Sequence, residues 1–305
     1  MHIQHIGGAF KPAASPFIRS SVIHRFLPFL TTARSIANMS PKATNEQAQA
    51  FKALHIPGKP VLLPNIYDVT STRIVGALPA CKVLATASFA IALAQGTEDS
   101  KLDLKTHLSA LKDIAEVAHE LGKPLTVDLQ DGYGAQLEEA VRAVIDLGVV
   151  GINLEDSEHT THAMVDDATA VDRIKRILAV AADAGVPEFV VNARSDTHFM
   201  GGSLDESIRR GKLYLEAGAT TVYILGTAPT GFTREEVKKM VDALDGKVNI
   251  SQRLPKEGMT STPLTSQQLG ELGIARISVG PQLYYAVAEA LKNSAALVLG
   301  NSANS

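Results

Sequence analysis

A (β/α)8 barrel is the α/β fold this sequence predicts, and three observations predict it. Short apolar runs alternate with helical segments along the chain, eight of each. Strands alternating with helices are the pattern of a parallel sheet closed by crossovers. Aromatic residues make up only 5% of the chain and Trp is absent, so Ala, Val, Ile and Leu must fill the core. Such residues suit helices packed over parallel strands. Three of the runs end in charge: Thr126-Val127-Asp128, Asn153-Leu154-Glu155-Asp156 and Asn192-Ala193-Arg194-Ser195-Asp196. In a barrel the C-terminal strand ends share one face, so these charges converge there. An open doubly wound sheet wants a glycine-rich phosphate turn after its first strand, and Pro64-Asn65-Ile66-Tyr67-Asp68 is not one.

The elements follow in order. A helix is expected from Asn45 to Leu54, broken by Pro57-Gly58. Pro60 to Pro64 forms the first strand and Ser71 to Ala77 a short helix. Lys82 to Ala85 is the second strand, followed by a small-residue segment from Phe89 to Gly96. Leu104, Leu108, Leu111, Ala115 and Ala118 recur at helical spacing, so 103–121 is an amphipathic helix with Gly122 at its end. Strand three delivers Asp128, and Gly132-Tyr133-Gly134 permits a tight turn after it. Helices over 136–147 and 166–184 flank the strand that delivers Glu155. Strand five delivers Asn192, Arg194 and Asp196. Ser203 with Glu206 and Thr233 with Glu236 read as capping boxes, in which each side chain takes an orphan amide of the other residue. Strands at 221–225, 247–250 and 275–278 complete the set, and a last helix covers Leu283 to Leu299. The barrel is expected over 45–300, between a leader (1–44) and a polar tail (301–305).

The chain of 305 residues carries a net charge of −3, which gives no support for nucleic-acid binding. The charge is unevenly placed. Residues 1–45 hold Lys11, Arg19, Arg25, Arg34 and Lys42 and no acid; the rest holds 24 basic against 32 acidic residues. A basic leader rich in Ser, Thr and Phe has the composition of a mitochondrial transit peptide. A mitochondrial matrix location is expected, or the cytoplasm if translation starts at Met39. No run is long and apolar enough for a membrane helix. The single Cys81 excludes an internal disulfide or a cysteine-cluster metal site.

Asp128 and Glu155 leave neighbouring strands and offer hard oxygen ligands, which together with water suit Mg²⁺. Arg194 is placed to grip a carboxylate or phosphate in a bidentate fashion; the competing expectation is an ion pair with Asp196 or Glu155. Asp99 lies in the loop after strand two. Ser88 offers a hydroxyl and an amide to an anion, and Tyr67 and Asp68 end strand one. Asn192 lies two residues before Arg194. His159 and His162 follow Glu155 in a loop.

These segments together resemble the isocitrate lyase / phosphoenolpyruvate mutase superfamily. The resemblance runs from about residue 47 to 300. It is carried by Leu63-Pro64-Asn65-Ile66-Tyr67-Asp68, Thr86-Ala87-Ser88, Asp128 through Gly134, Gly151 through Asp156, Asn192 through Asp196, and Ala275-Arg276-Ile277-Ser278-Val279-Gly280. It implies a barrel whose last helix is swapped with a neighbouring subunit in a homodimer or homotetramer. It also implies Mg²⁺, with Asp128 as principal metal-site residue and Glu155 acting largely through water. Asp99 becomes an acid near the metal, Arg194 the substrate-gripping arginine, and Ser88 part of the substrate carboxylate's cradle. The implied activity is cleavage of a C–C bond in a small 2-oxo or 2-hydroxy carboxylate through an enolate. The alternatives are P–C bond chemistry, by a mutase or hydrolase, and an inactive carboxylate-binding homologue. The chain departs from the family in two places. The lyases' Lys-Lys-Cys-Gly-His loop is replaced by Ser157 to Met164, without Lys or Cys, and Gln130 stands where a second acid follows Asp128 by two positions. His159 or His162 is therefore expected to replace the missing acid/base group, because imidazole titrates near neutrality.

Overall fold

The computed structural model describes residues 41–300 apart from 257 and 260. Most of the leader and the tail, with the targeting expectation they carry, lie outside the described residues. Nine parallel strands form one sheet. They are β1 (Val61–Leu63), β2 (Asn65–Ile66), β3 (Leu84–Thr86), β4 (Leu125–Asp128), β5 (Val149–Glu155), β6 (Val190–Ser195), β7 (Thr221–Ile224), β8 (Val248–Ser251) and β9 (Arg276–Ser278). β1 pairs with β9 and β2 pairs with β3. The two are one stave of the barrel, interrupted at Pro64, which has no N–H to give the ladder. The ring therefore closes with eight staves, as the alternation predicts.

The helices are α1 (Asn45–Lys52), α2 (Val69–Gly76), α3 (Ser88–Ala94), α4 (Leu104–Glu120), α5 (Leu137–Asp146), α6 (Asp167–Asp183), α7 (Leu204–Glu216), α8 (Arg234–Ala243), α9 (Ser266–Glu271) and α10 (Gln282–Val298). The small-residue segment after β3 is α3, whose Ala90, Ile91 and Ala92 are buried. The Thr233 box forms in full. The Ser203 box forms only by half: Ser203 accepts from the Glu206 amide, while the Glu206 carboxylate turns to Arg209 instead. Thr44 with Gln47, Asp68 with Ser71, and Thr265 with Gln268 form boxes at α1, α2 and α9.

α1 packs over the N-terminal ends of β5 and β6, with Phe51 fully buried. A Cβ on Gly151 would sit 2.7 Å from the Val190 carbonyl oxygen and 3.1 Å from Phe51 Cε1. Glycine at this position is what lets the ring come so close to the strand. Cys81 is buried with its thiol toward the Val83 carbonyl, and burial raises its pKa, as expected of a structural thiol. No described helix is long and apolar enough to cross a membrane. α10 differs from the other helices: only Gln282 in it is buried, while Tyr285, Val287, Leu291, Leu297 and Val298 are exposed.

Candidate active site

The C-terminal strand ends surround a cavity of about 700 Å³. Polar residues two positions apart on several strands face it. β4 contributes Thr126 and Asp128, β5 Asn153 and Glu155, β6 Asn192 and Arg194, and β9 Arg276 and Ser278. This is the period-two consequence of the pleat, and it is why charges two residues apart share one space.

Asp128 is held from both sides. Its Oδ2 accepts from the Ser88 amide at 3.1 Å and the Ser88 hydroxyl at 2.9 Å. Its Oδ1 accepts from Asn153 Nδ2 at 2.8 Å. Asn153 Oδ1 in turn accepts from Asn192 Nδ2 at 2.7 Å, and Asn192 Oδ1 accepts from the Thr221 hydroxyl at 2.6 Å. Three neighbouring strands, β5, β6 and β7, thus carry a file of donors that all point toward Asp128 on β4. A carboxylate offers about four lone-pair directions; three are taken here, which leaves Asp128 room for one further partner.

Arg194 forms both of the ion pairs that compete with substrate binding. Its Nε donates to Asp196 and its Nη1 to Glu155. Burial opposes its charge, but Asp196 and Glu155 outweigh burial and hold its pKa well above the ordinary value. Two of its five N–H donors are used by these pairs, so it still has donors for a ligand. Asp196 is fixed as well, accepting from the Ser157 hydroxyl at 2.6 Å and donating its amide to Asp156 at 2.7 Å. Asp156 lies outside the cavity and accepts from Arg210 Nε at 2.9 Å and the Tyr214 hydroxyl at 2.6 Å.

Asp99 reaches the cavity from its loop and accepts from Gln130 Nε2 at 3.0 Å. Burial raises the Asp99 pKa, and the Asp128 charge raises it further. Burial also pushes Glu155 well above the carboxylate range, against the pull of Arg194, with Asp196, Asp128 and Asp99 adding to the rise. The cavity wall carries five carboxyl groups (Glu98, Asp99, Asp128, Glu155, Asp196) and three guanidinium groups (Arg194, Arg253, Arg276). Among the described residues no three His, Cys, Asp or Glu side chains converge as a complete cage. Mg²⁺ does not require one: it keeps several waters and takes one or two carboxylates. The carboxyl oxygens of Asp99, Asp128 and Glu155, crowded enough to raise the Asp99 and Glu155 pKa values, are a donor set that fits that ion.

The loop between β5 and α6 brings His159 and His162 to the cavity. His159 is buried and its Nε2 has no partner. Its backbone amide donates to Asp131 Oδ2 at 3.2 Å, and Asp131 also accepts from the Tyr133 amide. Asp131 therefore braces the loop and does not line the cavity. Gln130 and Tyr133 both adopt positive φ, 54° and 64°, so the turn after β4 is more contorted than its two glycines imply.

Two expected substrate contacts are corrected. Tyr67 and Asp68 do not line the cavity. Asp68 caps α2 by accepting from the Ser71 amide at 2.6 Å, and the Tyr67 ring packs edge-on against Tyr284. They end a stave just as Asp128 does, but capping a helix turns the side chain outward. Asn192 and Ser88 do line the cavity, and their hydrogen bonds converge on Asp128. Asn153, Thr221, His107 and Arg276 were missed by sequence reasoning. His107 is fully buried on α4, its Nδ1 2.6 Å from the Tyr133 hydroxyl. The available signal was polarity inside apolar strands, as in Gly151-Ile152-Asn153 and Ala275-Arg276-Ile277.

The fold and cavity define a (β/α)8 barrel of the enzyme type that gathers acids and an arginine at its C-terminal mouth. The family model of phosphoenolpyruvate phosphomutase matches residues 51–299, and the chain belongs to that family, within the isocitrate lyase / phosphoenolpyruvate mutase superfamily. It is 32% identical over 249 residues to an uncharacterized protein of Mycobacterium tuberculosis (strain ATCC 25618 / H37Rv), covering 80% of this chain and 88% of that one. It is 29% identical over 195 residues to 2,3-dimethylmalate lyase of Eubacterium barkeri, covering 62% and 65%. A crystal structure from Burkholderia cenocepacia J2315, described as a phosphonomutase candidate, superposes with a TM-score of 0.72 at 30% identity, over 84% of this chain and 99% of that one.

Proposed function

We propose that this chain is a Mg²⁺-dependent lyase that cleaves a C–C bond in a small 2-oxo or 2-hydroxy carboxylate through an enolate. The observation that carries this reading is the meeting of Asp99, Asp128 and Glu155 with Arg194 in one cavity. Asp128 would hold the ion directly, and Glu155 would act across a water. When bound, Mg²⁺ supplies positive charge to the oxyanion that develops as the bond breaks. Arg194, already oriented by Glu155 and Asp196, presents its remaining N–H groups to a substrate carboxylate. In a retro-aldol cleavage a base takes the substrate hydroxyl proton. The electron pair of the C–C bond passes to the carboxylate-stabilised carbon, and an acid returns a proton there. His159, with its free Nε2 in the cavity wall, and Asp99, with its raised pKa, are the groups placed for these transfers.

Similarity to a phosphonomutase candidate supports P–C bond chemistry as a second reading. The exposed apolar residues of α10 support assembly with further copies of this chain, as a homodimer or homotetramer. The test is an NMR screen of the purified protein with Mg²⁺ against 2-hydroxy di- and tricarboxylates, oxaloacetate and phosphonopyruvate. Released product identifies the bond cleaved, whereas saturable binding without turnover sinks the lyase reading in favour of a carboxylate-binding protein. Oxalate, an enolate mimic, is expected to bind only with Mg²⁺. Unchanged turnover after His159→Gln and His162→Gln together would remove the histidines from the mechanism.

A further inference from the structure

The cavity continues from Asp128 toward the N-terminal end of the barrel, where its wall includes Arg276, the first residue of β9. Arg276 is 3% exposed. Its Nε and Nη1 are buried without a hydrogen-bond partner. Arg194, by contrast, is matched by two carboxylates. The carboxylate that acts on Arg276 through space is Asp128, which is already engaged by Ser88 and Asn153. The Thr126 hydroxyl, which lines the same cavity from β4 and is 1% exposed, also lacks a partner.

Below Arg276 the barrel is closed by an apolar ring and an uncharged imidazole. The ring is that of Phe51, 5.9 Å from Arg276 Cζ. His55 has its Nδ1 3.1 Å from the Phe51 carbonyl oxygen and 3.3 Å from that of Lys52, so Nδ1 carries the ring proton. Burial, helped by the Arg276 charge, pushes the His55 pKa down to about 3, so this ring is neutral near pH 7. Burial lowers Arg276 itself to about 9, which still leaves it protonated at neutral pH. The barrel floor therefore holds one positive charge, N–H donors and a hydroxyl, with no acid bonded to any of them. A buried charge with no counter-charge is strongly destabilising, and guanidinium donors in a dry pocket are well suited to an anion.

We propose that the floor of the barrel is a binding site for a small monoanion, a halide or a single carboxylate group such as formate, held by the Arg276 guanidinium and the Thr126 hydroxyl. The site lies behind the proposed reacting centre and stands independently of the lyase reading. Crystals of the full chain soaked in sodium bromide test it directly. An anomalous peak within hydrogen-bond distance of Arg276 is the expected result; bromide found only on the surface overturns the proposal. In solution, the bromide-induced line broadening of ⁸¹Br NMR should titrate to saturation and be reversed by formate. Arg276→Met should weaken bromide binding at least tenfold, and Thr126→Val by a smaller factor. Bromide binding unchanged in a folded Arg276→Met protein also overturns the proposal, and if that variant does not fold, the anomalous map of the unmodified protein decides. Mn²⁺ affinity, measured in parallel, separates failure of this site from failure of the metal site.

Discussion

Replacing Asp156 with alanine removes a carboxylate that never touches the cavity and yet secures its arginine. Asp156 is 3% exposed and accepts from the Asp196 amide, Arg210 Nε and the Tyr214 hydroxyl. Removing it leaves Arg210, 7% exposed, with the Tyr214 hydroxyl, the Val165 carbonyl and a 3.0 Å pair to Asp167. Breaking a buried ion pair from one side costs about 3–5 kcal/mol, and orphaning a buried amide costs about 1–3 kcal/mol more. Two effects reduce the total. Asp167 retains part of the Arg210 pairing, and burial raises the Asp156 pKa, which shows that its desolvation is not fully repaid. The expected loss is about 4 kcal/mol, read from the urea midpoint by circular dichroism at unchanged m-value. Asp156→Asn keeps an acceptor for the amide and the hydroxyl and should lose about half as much. A loss under about 1 kcal/mol for the alanine variant would refute the view that this cluster is a structural anchor. Because the Asp196 amide is released with it, oxalate affinity should fall in the same variant even where the barrel stays folded.

Three further outcomes are expected. Asn153→Ala removes the donor to Asp128 Oδ1 and should weaken Mn²⁺ binding by about 10–100-fold, the usual effect of losing a residue that orients a metal ligand; an unchanged Mn²⁺ titration by electron paramagnetic resonance would take Asp128 out of the metal site. Burial lowers the His107 pKa to about 4, so the folded state binds fewer protons there than the unfolded chain. The stability this contributes is complete above pH 6.5 and is lost as pH falls toward 4, on the order of 3 kcal/mol; His107→Gln should flatten that limb of the urea-midpoint profile. Leu291→Glu places a charge on the exposed apolar face of α10 and should shift the protein to monomer by light scattering, whereas an unmodified protein that is already monomeric would remove the assembly reading.

The staves and helices were legible because each has a periodic signal: two for the strands and about 3.6 for helices such as α4. α3 lacked one. Its run of Ala and Ile has no polar face to mark a period, so the sequence shows only a segment of small residues there. Asp128, Glu155 and Arg194 could be placed together because the barrel dictates where strand ends meet. What side chains do once there was less legible. Asp68 and Asp128 both follow apolar runs, but only the folded structure distinguishes a cap that turns out from a carboxylate that turns in. Ser203 and Thr233 show the same limit at helix starts, since Glu206 had a nearby arginine to choose and Glu236 stayed with its cap. Arg276 was hidden inside an apolar strand, where a charge reads as an interruption until the empty centre of the ring is seen.

The donor file from Thr221 through Asn192 and Asn153 to Asp128 runs across the staves and owes nothing to the loops. The Oδ1 side of Asp128 is thus held by the barrel wall itself. The segment after β5, where the loop carrying His159 begins, can be rewritten without re-aiming that carboxylate. A lineage could exchange one acid/base group for another, and with it one reaction for another, while the point at which negative charge is received stays in place. On this view the unusual loop of the present chain is the variable half of a machine whose constant half lies inside the barrel wall.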